Sequence, residues 1–124
     1  MIAADTSAWI SFFEGDDGED VRALAKALQA RQVVMPPPVL TELLSDPQLS
    51  PSVAQTLLEL PLVPLTDGFW VRAGKLRSKA LARKRKARLG DALIAQCCID
   101  ANIPLITRDG DFKAFAETLK LSLF

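Results

Sequence analysis

Residues 2–7 read Ile2-Ala3-Ala4-Asp5-Thr6-Ser7, an apolar run that stops at a carboxylate followed by two hydroxyls. The run reads as a short buried strand, and Asp-Thr-Ser as residues that cap a following helix. Ala8 to Glu14 is then a short helix stopped at Gly15. The pattern returns near the far end, where Pro104-Leu105-Ile106-Thr107 leads into Arg108-Asp109-Gly110-Asp111. Between the two, helical and strand signals alternate. Asp20 to Gln32 carries Val21, Leu24, Ala25 and Leu28 at the i, i+3, i+4, i+7 spacing of an amphipathic helix. Val33-Val34-Met35 is a second strand, and the prolines at 36–38 fit only the first turn of a helix running to about Ser45. Ser52 to Leu60 reads as a helix, and Leu62-Val63-Pro64-Leu65 as a third strand, near an edge because it contains proline. A long helix is expected from Asp67 to about Lys84, with Trp70, Ala73, Leu76, Ala80 and Leu81 inward. Leu89-Gly90-Asp91 opens a very apolar helix to Asp100, 104–107 is the fourth strand, and Leu119 to Phe124 is a candidate fifth. Strands alternating with helices argue for an α/β fold with a parallel sheet covered on both faces.

A chain of 124 residues suits one domain, 1–124, able to bury its own core. Hydrophobic residues at 49% and charged ones at 24% fit a soluble globular protein, and no apolar run nears the roughly 20 residues that span a bilayer. Met1-Ile2-Ala3-Ala4-Asp5 lacks the features of a signal peptide, and Cys97 and Cys98 are neighbours that rarely bridge, so a cytoplasmic protein with reduced thiols is expected. There is no histidine and no tyrosine. That excludes His-based acid–base catalysis, Ser-His-Asp and Cys-His nucleophiles, and His-containing zinc sites. Net charge is zero, yet residues 72–88 hold nine basic residues and no acid, while the first twenty hold six acids and no base. Such asymmetry can steer an anionic partner.

Four carboxylates stand where solvation explains them poorly. Asp5 and Asp109 follow apolar strands, and in an open parallel sheet ligands bind beyond the strands' carboxyl ends. Glu42 lies among Val39, Leu40, Leu43 and Leu44, and Asp91 shares a face with Ile94, Ala95 and Cys98, so both are placed on the stripe facing the sheet. Singly, Asp5 and Asp91 also read as helix caps or first-turn acids, and Asp109 as a turn residue. Together they have another meaning. Two carboxylates about 5 Å apart at an effective dielectric near 20 repel by roughly 3 kcal/mol, so four need a cation. All-oxygen ligands favour Mg²⁺ or Mn²⁺ over zinc, and phosphodiester hydrolysis is the chemistry such an arrangement serves.

Four blocks carry a family likeness: Asp5-Thr6-Ser7-Ala8-Trp9-Ile10, Val39-Leu40-Thr41-Glu42-Leu43-Leu44, Gly90-Asp91-Ala92-Leu93-Ile94-Ala95, and 105–112 with Thr107-Arg108-Asp109-Gly110-Asp111-Phe112 at its centre. They resemble the signature blocks of PIN domains, in family order over essentially the whole chain, and most of all those of VapC toxins from toxin–antitoxin pairs. The resemblance implies a three-layer α/β/α sandwich around a mostly parallel sheet of four to five strands. It implies an endoribonuclease needing Mg²⁺ or Mn²⁺, with Asp5, Glu42, Asp91 and Asp109 as catalytic, metal-holding acids. Asp111 is a candidate fifth ligand whose role varies in the family, and Thr6 and Thr107 match hydroxyl positions that support the acids. It also implies a homodimer and a small antitoxin covering the active-site groove.

Arg83-Lys84-Arg85-Lys86-Ala87-Arg88 lies outside the signature. It reads either as a solvated helix end favoured by the helix dipole or as a patch guiding RNA phosphates toward Asp91, and the second reading makes Arg83, Lys84, Arg85, Lys86 and Arg88 RNA-binding. Trp9, Phe12, Phe13 and Trp70 at helical spacing suit core or dimer interface better than base stacking. Three rivals are a phosphoacceptor receiver domain, a PIN-fold scaffold that binds without cutting, and a housekeeping RNA-processing nuclease. The first needs paired acids after its first strand and a lysine after its last, which this chain lacks.

Overall fold

The computed structural model describes residues 1–118 and 121–124. β1 (Ala3–Ala4) and β2 (Leu105–Ile106) form a parallel ladder, with Ala3 opposite Leu105 and Ala4 opposite Ile106. Single parallel bridges extend it, joining Ile2 to Val33, Met35 to Leu62 and Leu105 to Leu123. Five segments therefore lie side by side in the order third, second, first, fourth, fifth. The expected sheet is present in outline, but only its two central strands form a ladder. The second segment holds one bridge on each side and the third and fifth hold one each; in the second and third, proline removes amides at 36–38, 61 and 64. The candidate strand from 119 partly lies outside the described residues, and its bridge is at Leu123.

The helices are α1 (Thr6–Phe13), α2 (Glu19–Gln29), α3 (Pro37–Leu44), α4 (Pro51–Leu58), α5 (Phe69–Ala82), α6 (Leu89–Ala101) and α7 (Lys113–Thr118), the last preceded by a 3₁₀ turn at Gly110–Phe112. From β1 the crossovers run one way through the second and third segments, and from β2 the other way to the fifth. Right-handed connections then put α1–α4 and α7 on opposite faces. Packing agrees: α1 contacts α2 and α3, α3 contacts α4, and α5 contacts both α6 and α7.

The reversal of strand order falls between β1 and β2, and the crevice at that reversal is where open α/β sheets bind ligands. Trp9 is fully buried at the heart of α1, stacked on Phe13 and edge-on to Phe12. In α5 the inward stripe is Phe69, Ala73, Leu76 and Ala80, whereas Trp70 and Leu81 point outward, 66% and 46% exposed. The helix starts two residues later than expected, after left-handed Gly68, and Phe69 takes the core place assigned to Trp70. α6 buries Ala92 and residues 94–98 between neighbouring layers, which explains its apolar sequence, and ends at left-handed Asn102. Cys97 and Cys98 are buried and unbridged, and burial pushes both thiols up to about 12.

Candidate functional site

Asp5, Glu42, Asp91 and Asp109 line one pocket of about 250 Å³, together with Thr6 and Arg88. They come from four segments: the end of β1, the middle of α3, the first turn of α6 and the loop after β2. Asp5 is 3% exposed, and its backbone still follows the ladder, its amide donating to Ile106 O at 3.0 Å. Its Oδ1 accepts from Ser7 Oγ (2.8 Å) and the Ala8 amide (2.9 Å), while Oδ2 accepts from Thr107 Oγ1 (2.5 Å). Asp5 is therefore the N-cap of α1 while it also lines the pocket, so capping does not remove it from the site. Burial is the largest influence on its carboxyl and raises its pKa, against the three hydrogen bonds that lower it.

Asp109 caps the 3₁₀ turn, its Oδ1 accepting from the Asp111 amide at 2.9 Å. Its own amide donates to Thr107 Oγ1 at 2.9 Å, so one hydroxyl ties Asp5 to Asp109. Glu42 differs from expectation. Val39 and Leu43 hold the buried stripe of α3, and Glu42 lies exposed on the pocket rim, where Thr6 Oγ1 donates to Oε1 at 2.8 Å. A rim position spares the cost of burying a carboxylate among leucines. Gly90 borders Glu42 across the pocket: a Cβ there would lie 3.6 Å from Glu42 Oε2, an ordinary contact distance.

Asp91 is the most perturbed acid. Desolvation, then the charges of Asp109, Glu42 and Asp5, push its pKa up to about 6, while Arg88 pulls the other way. Its Oδ2 is buried with no hydrogen-bond partner among the described residues. Carboxylate oxygens of Asp91, Asp109 and Asp111 lie within 4.8 Å of one another. A buried, unpartnered carboxylate oxygen facing other carboxylates, with no nitrogen or sulfur donor, fits a hard divalent cation. Asp111 thus joins Asp91 and Asp109 in the close carboxylate group, which among the described residues does not include Asp5 or Glu42.

The basic run leaves the helix: α5 ends at Ala82, and 83–88 is a loop with Lys84 left-handed at φ 58°. Arg77 Nε holds this loop by donating to Ala87 O at 2.8 Å. Lys86 Nζ lies 3.6 Å from Asp111 Oδ2, so part of the run faces the acids. The sequence reading missed two positioning residues. Ser7 bonds Asp5 and accepts from the Arg108 amide at 3.2 Å, which its place two residues after a capping Asp could have signalled. Arg108 grips Asp20 (2.5 Å) and Asp17 O (2.7 Å) against Gly18, where a Cβ would sit 2.9 Å from the guanidinium. That contact joins chain segments 88 residues apart, and no local pattern announces it.

A strand-end Asp pair at the reversal of the sheet thus shares one pocket with acids from α3 and α6. The chain matches the PIN domain family over residues 2–118 and belongs to that family. It is similar to a VapC ribonuclease of Mycobacterium bovis and to Ribonuclease VapC11 of Mycobacterium tuberculosis, 29% identical to each over 129 residues, spanning 98% of this chain and 96% of the relative. Among solved structures, FitAcB from Neisseria gonorrhoeae superposes with a TM-score of 0.72 at 19% identity, over 100% of this chain and 96% of that one. VapBC-5 from Mycobacterium tuberculosis, described as a member of the VapBC family of toxin-antitoxin systems, gives 0.66 at 19%, over 99% and 96%. At such identities these structures show a shared fold. No helix among the described residues is long and apolar enough to cross a membrane.

Proposed function

We propose that this chain is a Mg²⁺- or Mn²⁺-dependent endoribonuclease, the toxin of a toxin–antitoxin pair, with Asp5, Glu42, Asp91 and Asp109 holding the ion. The observation that carries the reading is the convergence of these carboxylates, from four segments, on one pocket at the sheet's switch point. When bound, the ion supplies positive charge against the phosphate and acidifies water enough for attack near neutral pH. The chain's own residues do the positioning. Thr107 and Ser7 orient Asp5, Thr6 orients Glu42, and the 3₁₀ turn orients Asp109 and Asp111. Asp91 brings the oxygen with most to gain from a cation. Loop 83–88 supplies positive charge beside the acids for the RNA backbone.

RNA as substrate is supported by similarity to VapC ribonucleases, and an antitoxin partner by the likeness to VapBC structures. A homodimer is supported by exposed Leu65, Trp70 and Val71 beside a groove that also includes Pro37, Pro38 and Leu93. The reading places the protein in the cytoplasm, where its thiols stay reduced and its RNA substrate lies.

The test is cleavage of a mixed structured RNA pool with Mg²⁺, Mn²⁺ or EDTA, with Asp5→Asn as the control. Metal-dependent cutting that disappears in the variant is the expected result. Metal binding without cutting on any RNA would overturn the nuclease reading in favour of a binding scaffold, and a small antitoxin gene next to this one separates toxin from housekeeping nuclease.

A further inference from the structure

Arg88 is the cation of the acidic pocket, and its charge lowers the pKa of Asp91. It lines the acidic pocket, yet its side chain makes no ion pair or hydrogen bond there among the described residues. The basic side chains around it are committed elsewhere: Lys86 to Asp111, Arg77 to Ala87 O, Arg108 to Asp20.

Arg88 is also a poor residue for its local position. It is the N-cap of α6, with φ −69° and ψ 148°, and makes no capping bond. Ser, Thr, Asp or Asn is favoured there, and a cation meets the positive end of the helix dipole. A residue that breaks a local rule while facing a pocket points to function. A guanidinium stays charged at any relevant pH and presents a planar fork of donors matched to two phosphate oxygens. With the carboxylates turned to a cation, Arg88 is the anion-binding group of the pocket.

Resting on the nuclease reading, we propose that Arg88 binds the non-bridging oxygens of the scissile phosphate and stabilises the charge that builds on them. In that hydrolysis a water oxygen bonds to phosphorus and the bond from phosphorus to one ribose oxygen breaks. One water proton ends on the leaving oxygen, and the other stays with the phosphate or passes to solvent. Arg88 donates hydrogen bonds throughout and transfers no proton.

The experiment compares wild type, Arg88→Ser and Arg88→Lys in two assays. One is single-turnover RNA cleavage at rising Mg²⁺, and the other is RNA affinity across a salt series in EDTA. Arg88→Ser is expected to slow cleavage by about 100-fold or more, the scale for losing one donor aimed at developing charge, with no recovery at saturating Mg²⁺. Its salt slope should fall by about one, the signature of one lost phosphate contact. Arg88→Lys should regain the slope but not the full rate, because an ammonium lacks the fork. Wild-type cleavage in Arg88→Ser overturns the proposal, as does a rate restored by more Mg²⁺, which would make Arg88 a counter-charge for the acids. A lower slope with an unchanged rate also overturns it, placing Arg88 on another phosphate. If wild type binds RNA without cutting, the nuclease reading fails, and the slope still decides whether Arg88 holds a phosphate.

Discussion

Thr107 Oγ1 donates to Asp5 Oδ2 at 2.5 Å, a bond across 102 residues of sequence that ties the carboxyl ends of β1 and β2 together. The same oxygen accepts from the Asp109 amide. Thr107→Val keeps the shape and removes both functions, leaving part-buried polar groups unpaired. Unfolding free energy should fall by about 1–3 kcal/mol in a denaturant titration. Thr107→Ser should hold near wild type. Equal midpoints for valine and threonine would show that the bond contributes nothing.

Asp91 and Asp5 set an unusual pH dependence. Both carboxyls are raised in the fold, Asp91 to about 6 from an ordinary value of 3.8, so between those values the folded chain binds more protons than the unfolded one. Their contribution is fully present below the unfolded pKa and is lost as pH rises through the folded one. Asp20 and Asp100, held low by Arg108 and Arg72, act oppositely and lose their contribution as pH falls through their depressed folded values, below about 4. Melting temperature without metal should therefore decline from about pH 4 to 6, and Mg²⁺ should flatten or reverse the decline. Thermal melts across that range check this, and a metal-free melting temperature that climbs from pH 4 to 6 would contradict it.

Asp91→Asn and Asp5→Asn should part company in stability while both losing cleavage. Asp91 Oδ2 accepts nothing among the described residues, so its amide forfeits no bond and relieves repulsion from Asp109 and Glu42, raising the melting temperature. Asp5 accepts three hydrogen bonds in a buried position, and an amide there turns a donor toward donors. Its melting temperature should not rise. Calorimetric melts in EDTA, with circular dichroism to show both are folded, make the comparison.

Trp70→Glu should shift a dimer toward monomer without unfolding the chain. The indole is 66% exposed and contributes little to the core, so a charge there costs the fold little but disrupts an apolar contact. Sedimentation of wild type and variant at matched concentrations decides, and an unchanged sedimentation coefficient would move the dimer surface elsewhere.

Sequence periodicity located most elements well, with end shifts of one to three residues where caps decide the boundary, as at left-handed Gly68 and Asn102. It misjudged Trp70 because hydrophobicity alone cannot say which of two adjacent aromatics faces inward once the helix start moves. It placed Glu42 on a buried stripe because a carboxylate flanked by leucines looks the same whether it lies under a sheet or on a rim. Arg108 was invisible as a clamp, since its partners, Asp16, Asp17 and Asp20, belong to the distant α1–α2 loop and the first turn of α2.

What the sequence determined by itself is what local chemistry dictates: apolar strands that end in Asp5 and at Thr107-Asp109, an apolar helix opened by Asp91, and an absence of histidine that leaves carboxylates as the available chemistry. Tertiary structure decided which of those acids meet, which one carries an unpartnered buried oxygen, and which member of the basic run turns into the pocket. The reason is physical. Strand and helix formation depend on patterns a few residues long, whereas desolvation, charge repulsion and hydrogen-bond partnership depend on distance in space, here set by a parallel ladder joining residues 3 and 105.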